Sequence, residues 1–309
     1  MNELVHLINN VYIIKDEQMP VANLLELKYW KNILEELFTI EIDKQFHNVR
    51  FYLVFGNKPI EVPNDEDILN VFLIADEHQT LTPGIYNGKN IIFQSSYSPE
   101  VFKNKYLKIY EFPVGYNGKL NLNNATPFLE RKTNVFFSGN LHRGRAKMFD
   151  FYSHMRLLPF FVQHRLQGRI KTFYDNKYPS SYIRFTNGFM QGLRFDEYAS
   201  YLKNCKIVLS PRGSIVAECF RHYEAMKCGC IIVSERLPEN HFFSGSPIIQ
   251  IDNWKDADRI IKDLLSNPIK MQDLHVAALK WWHDVMSEPA VARYMAEIIS
   301  NNQLPKIEQ

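Results

Sequence analysis

The sequence predicts an α/β protein of two domains. Three observations predict it. The chain has 309 residues, more than the roughly 250–300 at which a single hydrophobic core stops growing. Short apolar runs bounded by turn residues recur along it, the pattern of strands buried on both faces. In the second half these runs alternate with helix-period segments, which implies a parallel sheet covered by helices on both sides.

In chain order, residues 21–40 carry Leu24, Leu25, Leu27, Ile33, Leu34, Leu37 and Phe38 at positions that suit a helix. Strand-like runs follow at 51–55, ending at Gly56, and at 71–75, ending at Asp76. Two more lie at 90–94, before a Ser-rich turn, and at 108–112, before Pro113. The helical segments between them are weak, so the first half reads as a smaller and less regular domain. Residues 115–132 are rich in Asn, Gly and Pro and lack periodicity, and they read as an interdomain linker.

The second half predicts strands at 135–139, 182–185, 207–210, 230–234 and 247–251. Helices are expected over 145–157, 196–204 and 216–228, the last closed by Gly229 in a C-cap role. Ala257, Ile260, Ile261, Leu264 and Leu265 mark an amphipathic helix. Helical stretches near 270–286 and 289–301 finish the chain. The expected domains are therefore 1–130 and 131–285, followed by a last helix within 286–309.

Composition narrows the function. Hydrophobic residues make up 46% and charged residues 23%, which suits an ordinary globular protein rather than a disordered one. The formal charge of +2 lacks the basic footprint of a nucleic-acid binder. Basic residues cluster locally at His142, Arg143, Arg145 and Lys147, and at Arg165, Arg169 and Lys171. The spacing Cys228-x-Cys230 is too tight for the usual zinc pair, and Cys205 and Cys219 supply no second pair. No metal is expected, and the thiols read as free in a reducing compartment. No run approaches the roughly 20 apolar residues of a membrane helix, and no signal-peptide pattern opens the chain. A cytoplasmic protein is expected, with peripheral membrane contact left open. Neither HExxH nor GxxxxGK[ST] occurs, which argues against a zinc protease, a kinase and an ATPase.

The segment Lys206 to Glu235 carries the chemistry. A buried strand delivers the chain to the carboxyl edge of a parallel sheet, where ligands bind in open α/β folds. The turn Pro211-Arg212-Gly213-Ser214 follows. Gly213 lets backbone approach a ligand closely, and Arg212 can fork onto phosphate oxygens. A helix begins next, and helix N-termini attract phosphate. Glu218, Arg221 and Glu224 recur at three-residue spacing, so they can share one face. A carboxylate there could accept ribose hydroxyls, and an arginine could neutralise a diphosphate. The competing reading is a solvated face with a weak surface ion pair. The ordered succession of strand, turn, glycine, helix, glycine and strand favours the site.

The run Pro211-Arg212-Gly213, Phe220-Arg221-His222-Tyr223-Glu224-Ala225 and Gly229-Cys230-Ile231-Ile232-Val233 resembles the exostosin family of glycosyltransferases. That family shows a Pro-Arg-Gly turn, an Arg-x-x-Glu-Ala helix and a Gly-Cys-Ile-Pro-Val strand; Ile232 stands where it usually has Pro. The close match spans about 30 residues, and similar segments occur in α-1,3-fucosyltransferases. The resemblance implies a fold of the GT-B type, two Rossmann-like domains with a cleft between them. It implies that Arg212, Arg221 and Glu224 contact a nucleotide-sugar donor. Glu224 would hold the ribose, and Arg212 or Arg221 the diphosphate, with no metal or other cofactor required. The first domain would receive a glycan or lipid-linked glycan acceptor, as in surface polysaccharide synthesis, and the last helix would cross back to it. A UDP-sugar is the favoured donor. The alternatives are a fucosyltransferase-like enzyme using a GDP-sugar, a nucleotide-sugar epimerase, and a non-catalytic glycan-binding protein.

A second candidate is the loop after strand 135–139, where Asn140, Arg143 and Arg145 could approach the diphosphate or the acceptor. An inverting transferase also needs a base for the acceptor hydroxyl. Asp76, in Asp76-Glu77-His78 after a buried strand, is the candidate, against the reading of an ordinary polar loop. Trp281-Trp282-His283 could stack on a sugar but reads better as helix packing.

Overall fold

The computed structural model describes residues 2–302 except 9, 17–19, 22–23, 41–45, 47, 56–64, 66, 79–83, 98–107, 154, 156, 167–176, 187 and 189–190. Gly56 of the first predicted strand–turn and Arg169 and Lys171 of the second basic cluster lie outside the described residues. The chain divides into two compact units, 1–114 with 287–309, and 115–286.

The first unit is built on a six-stranded sheet in the order β1 (Asn2–Ile8), β2 (Val11–Asp16), β3 (Val49–Phe55), β4 (Leu69–Ala75), β5 (Ile91–Ser95) and β6 (Lys108–Phe112). β1 and β2 form an antiparallel hairpin; β2 to β6 run parallel. The hairpin was not among the strands expected from the sequence. The parallel strands are apolar on both faces: one packs on helices, and the other buries Ile14, Tyr52, Val54, Phe72, Ile74 and Ile92 with Ile85. Helix α1 (Leu27–Thr39) buries Tyr29, Trp30, Ile33, Leu34 and Leu37. Trp30 stacks on Phe55 at 5.2 Å and meets Phe112 edge-on at 5.3 Å, and its indole N–H donates to the Pro113 carbonyl at 3.3 Å. The last helix, α8 (Glu288–Asn302), packs against α1. It brings Tyr294 to 6.3 Å from Phe93, and Asn302 donates to the Tyr110 hydroxyl at 2.9 Å.

The second unit carries a fully parallel sheet in the order β11-β10-β9-β7-β8. Its elements are β7 (Thr133–Asn140), α2 (Ala146–Tyr152), α3 (Phe160–Leu166), β8 (Ser181–Thr186) and α4 (Phe195–Asn204). Then come β9 (Cys205–Ser210), α5 (Phe220–Lys227), β10 (Ile231–Glu235) and β11 (Ile249–Ile251). Helices α6 (Trp254–Ser266) and α7 (Pro268–Trp281) complete it, the latter running into a π-helical segment, Trp282–Met286. One face of the sheet buries Val135, Phe137, Ile207, Leu209, Ile231 and Val233 against α2 and α6. On the other face Phe136 stacks on Tyr201 at 5.1 Å and meets Tyr198 at 5.4 Å.

Three elements differ from expectation. The stretch 115–132, read as a linker, belongs to the second unit. Its polarity serves hydrogen bonds: Arg131 donates to the carbonyls of Thr126, Cys205 and Cys228 at 2.9, 2.9 and 2.6 Å, stitching strand ends together. The helix expected over 145–157 ends at Tyr152, and the one expected over 216–228 begins at Phe220. Residues 211–219 are instead a loop, in which the Gly213 N–H donates to the Ala217 carbonyl at 3.3 Å. A Cβ on Gly213 would lie 2.7 Å from the Glu218 carbonyl oxygen, so this glycine serves the loop's own closure rather than a ligand's approach. Gly229, at φ +64°, takes the left-handed position after α5, as a helix-ending glycine does.

Candidate functional site

The carboxyl ends of β7 and β8 and the start of α5 open onto a half-open pocket of about 150 Å³. It lies wholly in the second unit. Ser138, Gly139 and Asn140 from the end of β7 form one wall, Thr186 and Tyr198 another, and Cys219, Arg221 and Glu224 of the α5 start a third. Arg145 and Asn117 complete the polar lining.

Two arginines meet at Gly139. A Cβ there would lie 2.8 Å from Arg221 Nη2 and 3.0 Å from Arg145 Nη1, so only glycine lets both guanidinium groups settle over the strand end. Both lie over the Phe137 ring, Arg221 at 4.9 Å and Arg145 at 6.0 Å. Arg145 is buried and well tied: Nε donates to the Arg212 carbonyl at 3.0 Å, and Nη1 donates to the Asn140 carbonyl and side-chain oxygens, both at 2.9 Å. Burial, and then the charge of Arg221, pulls its pKa down to about 10, so it stays cationic at neutral pH. Arg221 is 7% exposed and donates from Nη2 to the Ser138 carbonyl at 2.8 Å. Its Nε and Nη1 have no hydrogen-bond partner among the described residues. Burial opposes its charge, but Tyr198, Cys219 and Glu224 face Arg221 and outweigh that burial. Its pKa is therefore raised and the group stays cationic, with two N–H groups left to donate to an anion.

Glu224 sits one turn further along α5, 3% exposed. Its carboxylate accepts the Asn117 N–H at 3.3 Å and the Tyr198 hydroxyl at 3.2 Å. Burial raises its pKa to about 7 against the opposing pull of Arg221. Cys219 caps α5 with an extended backbone, φ −158°, and presents its thiol at the helix start. Burial pushes this thiol up, but His222 and the two arginines outweigh it and hold it at about 5.

The structure brings together Asn140, Arg145, Arg221 and Glu224 of the residues singled out in the sequence. It places the others elsewhere. Arg212 turns its guanidinium back onto its own loop, with Nη2 donating to the Ile215 carbonyl at 2.8 Å. It lines a neighbouring pocket with Lys147, Lys177, Glu235 and Arg236, and meets the first site through the carbonyl that Arg145 uses. Gly213 is buried in the loop and Ser214 is exposed on it. Glu218 precedes the helix, so it does not share a helical face with Arg221; its carboxylate accepts the Tyr223 hydroxyl at 2.6 Å. Arg143 lies exposed on the short turn before α2. His142, beside it, has its pKa drawn down to about 4 by burial and by Arg145 and Arg212. Asp76 belongs to the first unit, at the carboxyl end of β4, where its carboxylate accepts the His78 N–H at 2.9 Å.

Residues that the sequence reasoning missed are Asn117, Thr186, Tyr198 and Cys219. Tyr198 lies within the helix expected over 196–204, where helical period gives it no polar role. Trp281 donates to the Phe242 carbonyl at 3.0 Å, and Trp282 carries Lys227 over its ring at 4.7 Å, so both serve packing. Cys205 and Cys230 lie with sulfurs 3.6 Å apart in the interior. Among the described residues no cluster of three His, Cys, Asp or Glu could hold a metal ion, and no helix is long and apolar enough to cross a membrane.

No protein-family profile matches the chain, and no curated protein matches it by sequence. Solved structures do. The chain is similar to T4 phage BGT in complex with UDP and Mn2+, at 12% identity and TM-score 0.45, over 93% of this chain and 95% of that one. It is similar to a glycosyltransferase from Rickettsia africae ESF-5, at 11% identity and TM-score 0.47, over 93% and 83%. A third similarity is to the GtfA/B complex, at 12% identity and TM-score 0.44, where 88% of this chain spans 60% of the other.

Proposed function

We propose that this protein is a GT-B-type glycosyltransferase and that the pocket at the carboxyl edge of β7 and β8, beside the start of α5, holds the diphosphate of its nucleotide-sugar donor. The observation that carries the reading is the arginine pair at Gly139, with Nε and Nη1 of Arg221 unpartnered. A diphosphate would accept those N–H groups and offset the repulsion between the two cations. The first amides of α5 add a partial positive charge on the same side. Glu224 would take the ribose hydroxyls, since a carboxylate has acceptor sites beyond the two that Asn117 and Tyr198 fill.

The reaction is direct displacement at the anomeric carbon. Charge grows on the departing diphosphate as the bond to the sugar breaks, and preorganised guanidinium groups stabilise it without requiring a metal. The residues that resemble the exostosin family, 211–233, favour a UDP-sugar over a GDP-sugar. The acceptor is a glycan or lipid-linked glycan, in keeping with surface polysaccharide synthesis in the cytoplasm. Asp76 is the base for its hydroxyl.

Calorimetry with UDP and GDP tests the donor, followed by donor hydrolysis across a panel of nucleotide sugars. UDP binding, and hydrolysis that Glu224→Ala abolishes, supports the proposal. GDP binding in its place moves the assignment to a fucosyltransferase-like enzyme. Binding of neither nucleotide overturns it.

A further inference from the structure

The mechanism above leaves Cys219 unused, although its surroundings are those of an activated nucleophile. The Ser234 hydroxyl donates to the Glu235 carbonyl at 2.9 Å. It therefore accepts from His222 Nε2, 2.8 Å away, which places the ring proton on Nε2. Nδ1 is left as an acceptor. It receives the Cys219 backbone N–H at 3.2 Å and faces the Cys219 sulfur at 3.5 Å. Thiol, imidazole and an orienting hydroxyl thus stand in series, the arrangement that activates a nucleophile. Cys219 is also the half-buried cysteine of the chain; Cys205, Cys228 and Cys230 are buried. Cys219 lines the same pocket as Arg221, whose Nε and Nη1 lack hydrogen-bond partners, and its sulfur also lies 3.7 Å from the Ser210 hydroxyl.

We infer that Cys219 is a site of oxidative modification, in which a hydroperoxide converts its thiol to a sulfenic acid and the altered side chain shuts the diphosphate subsite. The inference rests on reading the pocket as an anion site. In the reaction the thiol proton passes to His222 Nδ1 and the thiolate attacks the hydroxyl oxygen of the hydroperoxide. The S–O bond forms and the O–O bond breaks. The departing oxyanion takes the proton from His222, leaving sulfenic acid and an alcohol, or water when the oxidant is hydrogen peroxide. Sulfur loses two electrons and the peroxide gains them.

The groups facing the thiol are His222, Arg221 and Glu224 on α5, Arg145 before α2 and Tyr198 on α4. With the thiol at about 5, thiolate persists below neutrality, where a free thiol near 8.5 is almost wholly protonated. At pH 5.5 the thiolate fraction is several hundred times that of a free thiol. The lower intrinsic nucleophilicity of a low-pKa sulfur removes roughly 30–50-fold of this. The net expectation is alkylation by iodoacetamide roughly twentyfold faster than that of glutathione at pH 5.5.

The full chain is treated with hydrogen peroxide in the presence of dimedone, and its cysteine peptides are mapped by mass spectrometry. The expected result is an adduct on Cys219 and none on Cys205, Cys228 or Cys230. Pyrophosphate at ten times its dissociation constant slows labelling about tenfold by occupancy. UDP affinity falls after peroxide, recovers with dithiothreitol, and is indifferent to peroxide in Cys219→Ser. An unlabelled Cys219, with iodoacetamide no faster than on glutathione, overturns the inference while leaving UDP binding intact. Labelling that pyrophosphate does not slow, in a protein that binds UDP, overturns it as well, because the thiol would not share the anion's space. Absence of UDP binding strikes the donor reading instead, and labelling of Cys219 in such a protein still supports the activated thiol.

Discussion

Replacing Arg221 by methionine separates an arginine that binds a ligand from one that holds the fold. A guanidinium carries five N–H donors, and Arg221 spends one on the Ser138 carbonyl. If a diphosphate takes only two of the rest, at about 1.5 kcal/mol or more each for hydrogen bonds to a charged group, the loss is about 3 kcal/mol. That is a fall in UDP affinity of roughly 150-fold. Stability should respond quite differently. The variant loses the hydrogen bond to Ser138 and the contact with the Phe137 ring, 4.9 Å away. It gains the removal of a buried cation beside Arg145, and methionine fills much of the same volume. The variant also leaves buried Glu224 without its cation, so Glu224 keeps its proton and the free protein should lose about 1–2 kcal/mol in all. Calorimetry with UDP and urea denaturation of the free protein read the two quantities. UDP affinity within threefold of the parent, or a loss of several kcal/mol in the free protein, would show that Arg221 is a structural residue and refute the reasoning.

Other expectations follow from the same geometry. Glu224 is buried with a pKa raised to about 7 from 4.5, so the folded state holds a proton that the unfolded state releases. Its contribution to stability is full below pH 4.5 and is lost as pH rises through 7, by about 3 kcal/mol in all; urea titrations at pH 4.5 and 7.5 should show that Glu224→Gln lacks this slope, and an unchanged slope contradicts the assignment. Gly139→Ala places a methyl 2.8 Å from Arg221 Nη2 and 3.0 Å from Arg145 Nη1. Both are ends of flexible side chains, so the fold should tolerate it while UDP affinity falls roughly tenfold, and unaltered affinity would mean that the arginine positions do not matter. Arg212→Ala should leave UDP affinity within about threefold of the parent, because its guanidinium serves its own loop; a loss like that of Arg221→Met would move the diphosphate to the neighbouring pocket. Asp76→Asn should lower the transfer rate about 10²–10⁴-fold with the donor KM unchanged, and near-parental turnover would remove Asp76 from the mechanism.

The strands of the second unit were legible because a parallel sheet buried on both faces leaves runs such as Ile207-Val208-Leu209 that few other structures produce. The β1–β2 hairpin carried a comparable run, Val11-Tyr12-Ile13-Ile14, but an antiparallel edge element departs from the strand–helix alternation that organised the reading. The start of α5 was misplaced for a definite reason. Ile215-Val216-Ala217 looks like the first turn of an apolar helix, whereas the Gly213 N–H closes a loop onto Ala217 and Cys219 takes the cap. That shift of four residues removes Glu218 from the helical face and turns Arg212 away from the pocket. Helical spacing put Arg221 and Glu224 on one face, but only the order of strand, turn and helix and the exostosin resemblance marked that face as a candidate site. Their partnership with Arg145, Asn117 and Tyr198 was not, since it depends on which loops converge at one sheet edge and no local pattern records that.

The most direct test is a crystal structure of the protein grown with UDP. The account predicts diphosphate oxygens within hydrogen-bond distance of Arg221 Nε and Nη1, beside Arg145 and above Gly139, with the ribose hydroxyls at Glu224. A diphosphate held instead by Arg212, Lys147 and Lys177, with the Arg145–Arg221 pocket unchanged, would contradict it.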